Sequence, residues 1–359
     1  MNDEPATPLA TTKGSALSEL KARLERQNYW AGAVLFTLAL SFPFLPGVEG
    51  WMASQAALVV IYIMAAQGVS ILTGYTGLVT VGHGGFLAIG AYTSALLTKY
   101  YGVDLLVGLV SGGIMAGLIG YGLGFVFLRL SGAFMAIGTL GFAFFVGTVV
   151  NNVPIFEGRE GISLPDNKVF GIVIGDVGFY VISIIALAVT TLFVFCLVRS
   201  GVGRAFMALR DSEKAAESSG VHRVLYRTLA FSISASITGV AGALNAHIVN
   251  YISAEVYADI WYSVDFLVAT VVGGSALLMG PFVGGAFVAM VPFFLEELAD
   301  FSFILKGAVL IGILILAPAG IADLLSRPIR AWRAKQIDAT RQASSSDGSA
   351  NSGESEAGP

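Results

Sequence analysis

The chain has 359 residues, of which 55% are hydrophobic and 12% charged, with a formal net charge of −4. A soluble globular domain carries roughly 25% charged residues, so this composition excludes one and predicts an all-α polytopic membrane protein. A single cysteine, Cys196, rules out an internal disulfide framework or a thiolate metal cluster, and its apolar surroundings read it as a small buried hydrophobe.

Polarity marks a tail over 1–28, a membrane domain over 29–326 and a second tail over 327–359, with disorder expected after residue 342 from the Ser-, Gly- and acid-rich composition. The first tail carries Lys21, Arg23, Glu25 and Arg26 and no short apolar core before a cleavage site, so no cleaved signal peptide is expected. A helix needs about 20 apolar residues to cross the hydrocarbon. About ten segments qualify: 29–46, 52–73, 75–98, 104–128, 131–153, 177–198, 227–250, 261–279, 281–296 and 303–325. Glycines interrupt 75–98, and Gly273, Gly274, Gly280 and Pro281 interrupt 261–296, so these segments are expected to be broken or re-entrant. With both termini cytoplasmic and every segment crossing, only Lys99, Arg159, Lys168 and Lys306 among the basic residues fall outside, as the positive-inside rule requires. Trp30, Trp51, Trp261 and Trp332 each fall beside a segment end, where an indole prefers to sit.

Small residues at helical spacing, Gly108 with Gly112, Gly113 with Gly117, Gly120 with Gly124 and Gly280 with Gly284, predict close helix packing. The stretch Gly74-Tyr75-Thr76-Gly77 through Gly82-His83-Gly84-Gly85 asks for more, because each glycine in a continuous helix costs about 1 kcal/mol relative to Ala. It is either a broken element lining a polar path or a flexible helix. His83 is the deepest ionisable group, and either hydrogen-bonds as a neutral imidazole or titrates in transport. His247 and Asn245 pose the same question near the end of 227–250, while Asp265, a turn from Trp261, is expected to reach the outer interface.

The external loop over 154–176, preceded by Asn151 and Asn152, sets Glu157, Arg159 and Glu160 among glycines. It either docks a protein or a zwitterionic solute by paired charges, or is simply solvated. The cytoplasmic loop over 199–227 is the longest on its side. Asp211 is expected to cap a short helix and Gly220 to end it, leaving Ala215, Ala216 and Ser219 on a small convex surface suited to a partner's groove; an ordinary charged loop is the alternative. No Gly-Lys dipeptide exists, so there is no Walker A loop, and three histidines at positions 83, 222 and 247 cannot make a His-Glu-x-x-His zinc site. The net charge gives no nucleic-acid footprint.

Four ordered motifs resemble a known family. Gly74-Tyr75-Thr76-Gly77-Leu78 through Val81-Gly82-His83-Gly84-Gly85-Phe86 and Gly90-Ala91-Tyr92-Thr93 is similar to the signature of LivM-type permeases of branched-chain amino acid ABC importers. Ser131 to Ile137 with Thr139-Leu140, Gly203-Arg204-Ala205 through Arg210-Asp211 and Ala215-Ala216-Glu217 to Gly220, and Val272-Gly273-Gly274 with Gly280 to Gly284 follow in the family's order, covering about 52–325. The resemblance implies a bacterial inner-membrane subunit that pairs with a second, homologous permease, above two cytoplasmic ATPases and below a periplasmic solute-binding protein. ATP and Mg would sit on the ATPases, and this chain would be neither an enzyme nor a holder of a cofactor or metal. It also implies site roles: Gly203, Arg204, Arg210, Asp211, Glu213, Ala215, Ala216, Glu217 and Gly220 in ATPase coupling, with Ala215 and Ala216 facing the ATPase groove. Gly74, Tyr75, Gly77, Gly82, His83, Gly84 and Thr139 would line the substrate pathway, and Asn151, Asn152, Glu157, Arg159 and Glu160 would dock the binding protein or admit solute. Branched-chain amino acids are the default solute by this resemblance, with urea, amides or other small acids as the alternative. The rival class is an autonomous channel or a proton-coupled carrier using His83; a membrane-embedded enzyme would lack an acid–base or metal cluster.

Overall fold

The computed structural model describes residues 40–44, 49–127, 130, 132–157, 160–257, 260–294 and 307. The chain divides into two units, Met1–Phe42 with Leu325–Pro359 and Pro43–Leu324, and the α-helices from Gly50 to Phe294 lie in the second. Both tails, most of the segment expected over 29–46 and nearly all of that over 303–325 lie outside the described residues.

Eleven α-helices are described. They are α1 (Gly50–Val69, continued by a π-helical turn, Ser70–Tyr75), α2 (His83–Tyr101), α3 (Leu105–Phe127), α4 (Ala133–Asn152) and α5 (Asp176–Arg199). They continue as α6 (Gly201–Asp211), α7 (Glu213–Ser218), α8 (Arg223–Val249), α9 (Ala254–Tyr257), α10 (Ile260–Gly273) and α11 (Gly280–Phe294). Two small antiparallel pairings join β1 (Ile162–Ser163) to β4 (Tyr251–Ile252) and β2 (Lys168–Val169) to β3 (Ile172–Val173). Six stretches among the described residues are long and apolar enough to span a membrane: Gly50–Tyr75, Leu105–Phe127, Ala133–Asn152, Asp176–Arg199, Arg223–Val249 and Ala254–Gly273. This is a multi-pass membrane protein.

The two segments expected to be irregular are so. In 75–98 the chain is a non-helical link over 76–82 followed by α2. The 261–296 stretch is two helices of 14 and 15 residues. They pack as a tight antiparallel pair, since a side chain at Gly284 would strike the Ala269 carbonyl and one at Gly280 the Gly274 carbonyl.

The core is built around α8, which packs most extensively on α3 and then on α2 and α1. The predicted small-residue pairs do this work: Gly112, Gly113, Gly117, Gly120 and Gly124 of α3 all lie against α8. Backbone meets backbone at Gly90 of α2, where any side chain would collide with the Gly239 carbonyl of α8. Without a hydrophobic drive between helices in lipid, such close van der Waals contact is what holds a bundle together. Cys196 corrects its expectation: it is exposed on α5, whose outward residues Ile185, Val189, Leu192 and Phe193 are all apolar. An apolar residue in a membrane helix can be satisfied by lipid as well as by core, which is why sequence could not separate the two.

Candidate functional site

At the break after α1 the freed carbonyls of Ile71, Leu72 and Gly74 are each met by a donor. A helix end leaves its last C=O groups without intrahelical donors. Here Thr76 Oγ1 donates to Leu72 O at 2.6 Å, Thr76 N to Ile71 O at 3.2 Å and Leu78 N to Leu72 O at 2.9 Å. The Gly74 carbonyl is met by Arg210 Nη1 of α6 at 2.5 Å. Gly77 follows at φ +72°, a left-handed turn that favours glycine, and the Arg210 stem lies over it. Ser70 Oγ donates to the Ser275 carbonyl at 2.8 Å, and Gly74 is pressed so closely on that carbonyl that no side chain fits. Three elements therefore converge: the broken end of α1, the turn between α10 and α11, and the C-terminal end of α6.

The link is held from α4 and α10. Val81 N donates to Thr139 Oγ1 at 3.0 Å, and Gly84 N, at the start of α2, donates to Ser263 Oγ at 2.8 Å. His83 is fully enclosed, 1% exposed. Ser234 Oγ donates to Gly68 O at 2.6 Å, so its oxygen is the acceptor for His83 Nε2–H at 2.7 Å, and His83 Nδ1 faces Thr80 Oγ1 at 3.4 Å. The imidazole is thus hydrogen-bonded on both sides within the bundle. Gly74, Tyr75, Gly82, His83, Gly84 and Thr139 are all buried in this junction, and Gly77 is exposed.

The 199–222 segment is more structured than its sequence suggests. Ser200 caps α6 by accepting from Val202 N at 3.1 Å and Gly203 N at 3.3 Å, and Ala205, Phe206 and Leu209 turn inward. The expected cap at Asp211 is corrected: Asp211 ends α6, and Ser212 caps α7 by accepting from Ala215 N. Both residue types favour the position; Ser212 takes it because its backbone is already extended, φ −161°, while Asp211 is still helical. Gly220 does end the helix, at φ +84°, with Gly220 N donating to Glu217 O and Val221 N to Ala216 O, the paired bonds of a Schellman motif. Ala215 and Ser219 are exposed, but Ala216 is 3% exposed and packs inward, which corrects its placement on the convex face.

Glu213 and Glu217 are engaged with the base of α8. Arg223 Nη1 meets Glu213 Oε2 at 3.1 Å, Arg223 Nε meets Glu217 Oε1 at 3.4 Å, and Arg227 Nη2 bonds the other Glu213 oxygen. Sequence reasoning missed Arg223 and Arg227, because their partners sit across a turn rather than one helical turn away. Gly203 is buried against the Val198 and Leu197 carbonyls, and Arg204 Nη1 donates to the Arg199 carbonyl at 3.2 Å.

At the opposite end of the helices, Glu157 accepts from Lys99 Nζ at 2.5 Å and from Tyr100 OH at 2.9 Å. The Lys99 ammonium, then the Tyr100 hydroxyl, hold its carboxyl below the ordinary 4.5. The Glu160 carbonyl accepts from Tyr251 OH at 3.0 Å, and Arg159 lies outside the described residues. Asn167 pins the loop to α8: its amide nitrogen donates to the His247 carbonyl at 2.9 Å, so its oxygen faces His247 Nδ1–H at 2.7 Å, and Nε2 accepts from Ser94. Asn245 accepts from the buried Tyr257 hydroxyl at 2.5 Å. Asp265, expected at the interface, is instead buried within α10. Asn151 and Asn152 are exposed and, with Phe144, Gly147, Thr148, Ala254 and Glu255, line a cleft of about 240 Å³.

A family model described as branched-chain amino acid transport system, permease component, matches residues 52–318, which include the junction, α4, α6 and α7. The chain belongs to that family. This permease is 30% identical to the high-affinity branched-chain amino acid transport system permease protein LivM of Escherichia coli strain K12, over 82% of this chain and 74% of that one. It is 29% identical to LivM of Salmonella typhimurium over the same shares, and 25% identical to LivH of Salmonella typhimurium over 74% of this chain and 92% of that one. No solved structure matches it. The matched span takes in the broken end of α1, the α6–α7 segment and the polar contact that joins them.

Proposed function

We propose that this permease is one of two membrane subunits of a binding-protein-dependent ABC importer, and that it moves branched-chain or related amino acids into a bacterial cytoplasm by alternating access. Likeness to both LivM and LivH supports a pair of homologous, unequal permeases. In this reading the protein sits in the inner membrane with ten crossings and both termini cytoplasmic. Separate ATPases hold ATP and Mg beneath α7, and a periplasmic binding protein docks over 151–176.

The observation that carries the reading is the bonding around α7. Its outer face, with Lys214, Ala215 and Ser219, is free to seat in a partner, while Glu213 and Glu217 tie it to α8 and Arg210, just before it, ties the same segment to Gly74. A push on α7 thus reaches both the central helix and the break in α1, which is what an externally driven permease needs. Transport selectivity is shared with the binding protein, so urea, amides or other small acids stay open as solutes.

The test is gentle purification of the tagged chain from its native membranes with mass spectrometry of its companions. Recovery of an ATPase and a second permease is the expected result. Reproducible purification of the chain alone, under conditions that hold comparable complexes together, would replace this reading with an autonomous channel or carrier, and proton-linked flux through a His83→Gln variant would then be the next assay.

A further inference from the structure

The outward faces of the spanning helices are not alike. On α3 and α5 the exposed residues away from the helix ends are apolar apart from the Tyr121 hydroxyl, and Gly122 leaves an open notch on α3. On α4 the exposed stripe runs Phe134, Ile137, Gly141, Phe144, Thr148 and Asn151, one face at helical spacing that passes from apolar through a notch to polar. Nothing lies within 4 Å of the position a Gly141 side chain would take, so the notch is open. The stripe ends in the 240 Å³ cleft, which α9 closes from the side with Glu255 and Ala254. That volume equals about eight waters, the size class of one small amino acid.

The opposite face of α4 bears directly on the junction. Thr139 accepts from Val81 N, a side chain at Gly82 would collide with the Thr139 carbonyl, and Gly85 rests on Phe142 and Ala143. So the helix with the mixed outward face is the one whose inner face is fastened to the link between α1 and α2. A displacement of that link therefore reaches this stripe through α4.

We propose that the outward face of α4 is a wall of the solute passage, and that the cleft at its end receives an α-amino acid zwitterion. This rests on the importer reading. The Glu255 carboxylate takes the ammonium group, the amides of Asn151 and Asn152 take the carboxylate, and Phe144 and Ala254 flank the alkyl side chain. Inward of the cleft, the Gly141 notch gives the solute room, with the second permease opposite.

The experiment is thiol labelling of the intact complex in its own membranes with a charged, membrane-impermeant maleimide. Cys196, exposed on the apolar face of α5, is the built-in lipid-facing control. Ile137→Cys, Gly141→Cys and Thr148→Cys are made in a Cys196→Ser background and kept only if uptake is retained. The expected result is labelling at all three at least tenfold faster than at Cys196, with Thr148→Cys protected by L-leucine. Labelling no faster than Cys196 at all three, in both resting and vanadate-trapped complexes, overturns the passage. Labelling of Thr148→Cys that L-leucine does not slow overturns the cleft as a solute site. Glu255→Gln should raise the KM for leucine uptake about tenfold with the labelling pattern unchanged, and an unaltered KM counts against the ammonium contact. Co-purification of the ATPase is scored on the same preparations, so a failure of the importer reading is seen separately from a failure at α4.

Discussion

Arg210 does two things with one side chain: its stem covers the left-handed turn at Gly77, and its guanidinium meets a freed carbonyl of the broken helix, at 2.5 Å from Gly74 O. A cation at a helix C-terminus also meets the negative end of the macrodipole. Hydrogen bonds to charged groups contribute about 1.5–3 kcal/mol, and the low end suits a residue that is itself exposed. Arg210→Gln is therefore expected to shift the coupling equilibrium about tenfold, lowering uptake while ATP hydrolysis by the complex persists; Arg210→Lys, which keeps the charge, should recover part of it. Uptake and ATPase rates measured together decide the matter, and an unchanged ratio in Arg210→Gln would show that the contact is not part of the drive. Glu157 offers a second residue-level test. Its carboxyl is held below 4.5 by Lys99 and Tyr100, so the tether is complete above the ordinary carboxylate range and is lost only as pH falls through the lowered value. Proteolysis of the 153–161 segment should stay constant from neutral pH down to the ordinary carboxylate range and rise below it. Glu157→Gln should be cleaved faster at neutral pH and lack the acid rise; equal cleavage of both proteins at neutral pH would remove the tether from the account.

α7 is short, two turns capped at both ends, and its two alanines face opposite ways. Ala215→Trp adds bulk to the exposed face and should abolish uptake and ATPase association while the 199–222 segment keeps its resistance to protease. Ala216→Trp puts an indole where 3% of the residue is exposed, and overpacking of that kind costs about 1–3 kcal/mol, so it should expose the same segment to cleavage. If the two variants behave alike, the inward placement of Ala216 is in error. This pair also shows where sequence was readable. Six of the spans were legible because about 20 apolar residues leave little choice, the break over 76–82 because glycines cluster there, and the end of α7 because a φ of that sign favours Gly220. The choice between Ser212 and Asp211 as cap was not, since both suit the position. Nor was the inward turn of Ala216, because α7 is too short for a hydrophobic period to fix its face. The junction of Arg210, Gly74 and Ser275 joins residues as far as 205 positions apart, a tertiary event with no local pattern.

At the scale of the whole molecule α8 is the lever, with charge pairs to α7 at one end and the His247–Asn167 pin to the 164–174 loop at the other. A signal from an ATPase would travel its length only if the α7 clamp is firmer than an ordinary surface pair, which contributes about 0–1 kcal/mol. The Arg227 side chain is 10% exposed and that of Glu213 is 36% exposed, so the clamp lies between surface and interior. Removing one partner of a buried pair costs about 3–5 kcal/mol because the other charge is stranded, and about 2 kcal/mol is the reasonable expectation for this intermediate case. The order of stability follows from which charge is left. Arg227→Gln leaves Glu213 with Arg223 at 3.1 Å and should be mild, whereas Glu213→Gln strands Arg227 and should be the least stable. The double variant, with no stranded charge, should lie between them. Thermal unfolding of the purified complex in detergent gives the order directly. In the same preparations Glu213→Gln should hydrolyse ATP with reduced uptake, since α7 would then be tied to α8 by charge only through Glu217 and Arg223. Equal melting of Glu213→Gln and the unaltered protein would mean that the contact carries no load, leaving Arg210 and the Glu217–Arg223 pair as the described routes from the α6–α7 segment into the membrane.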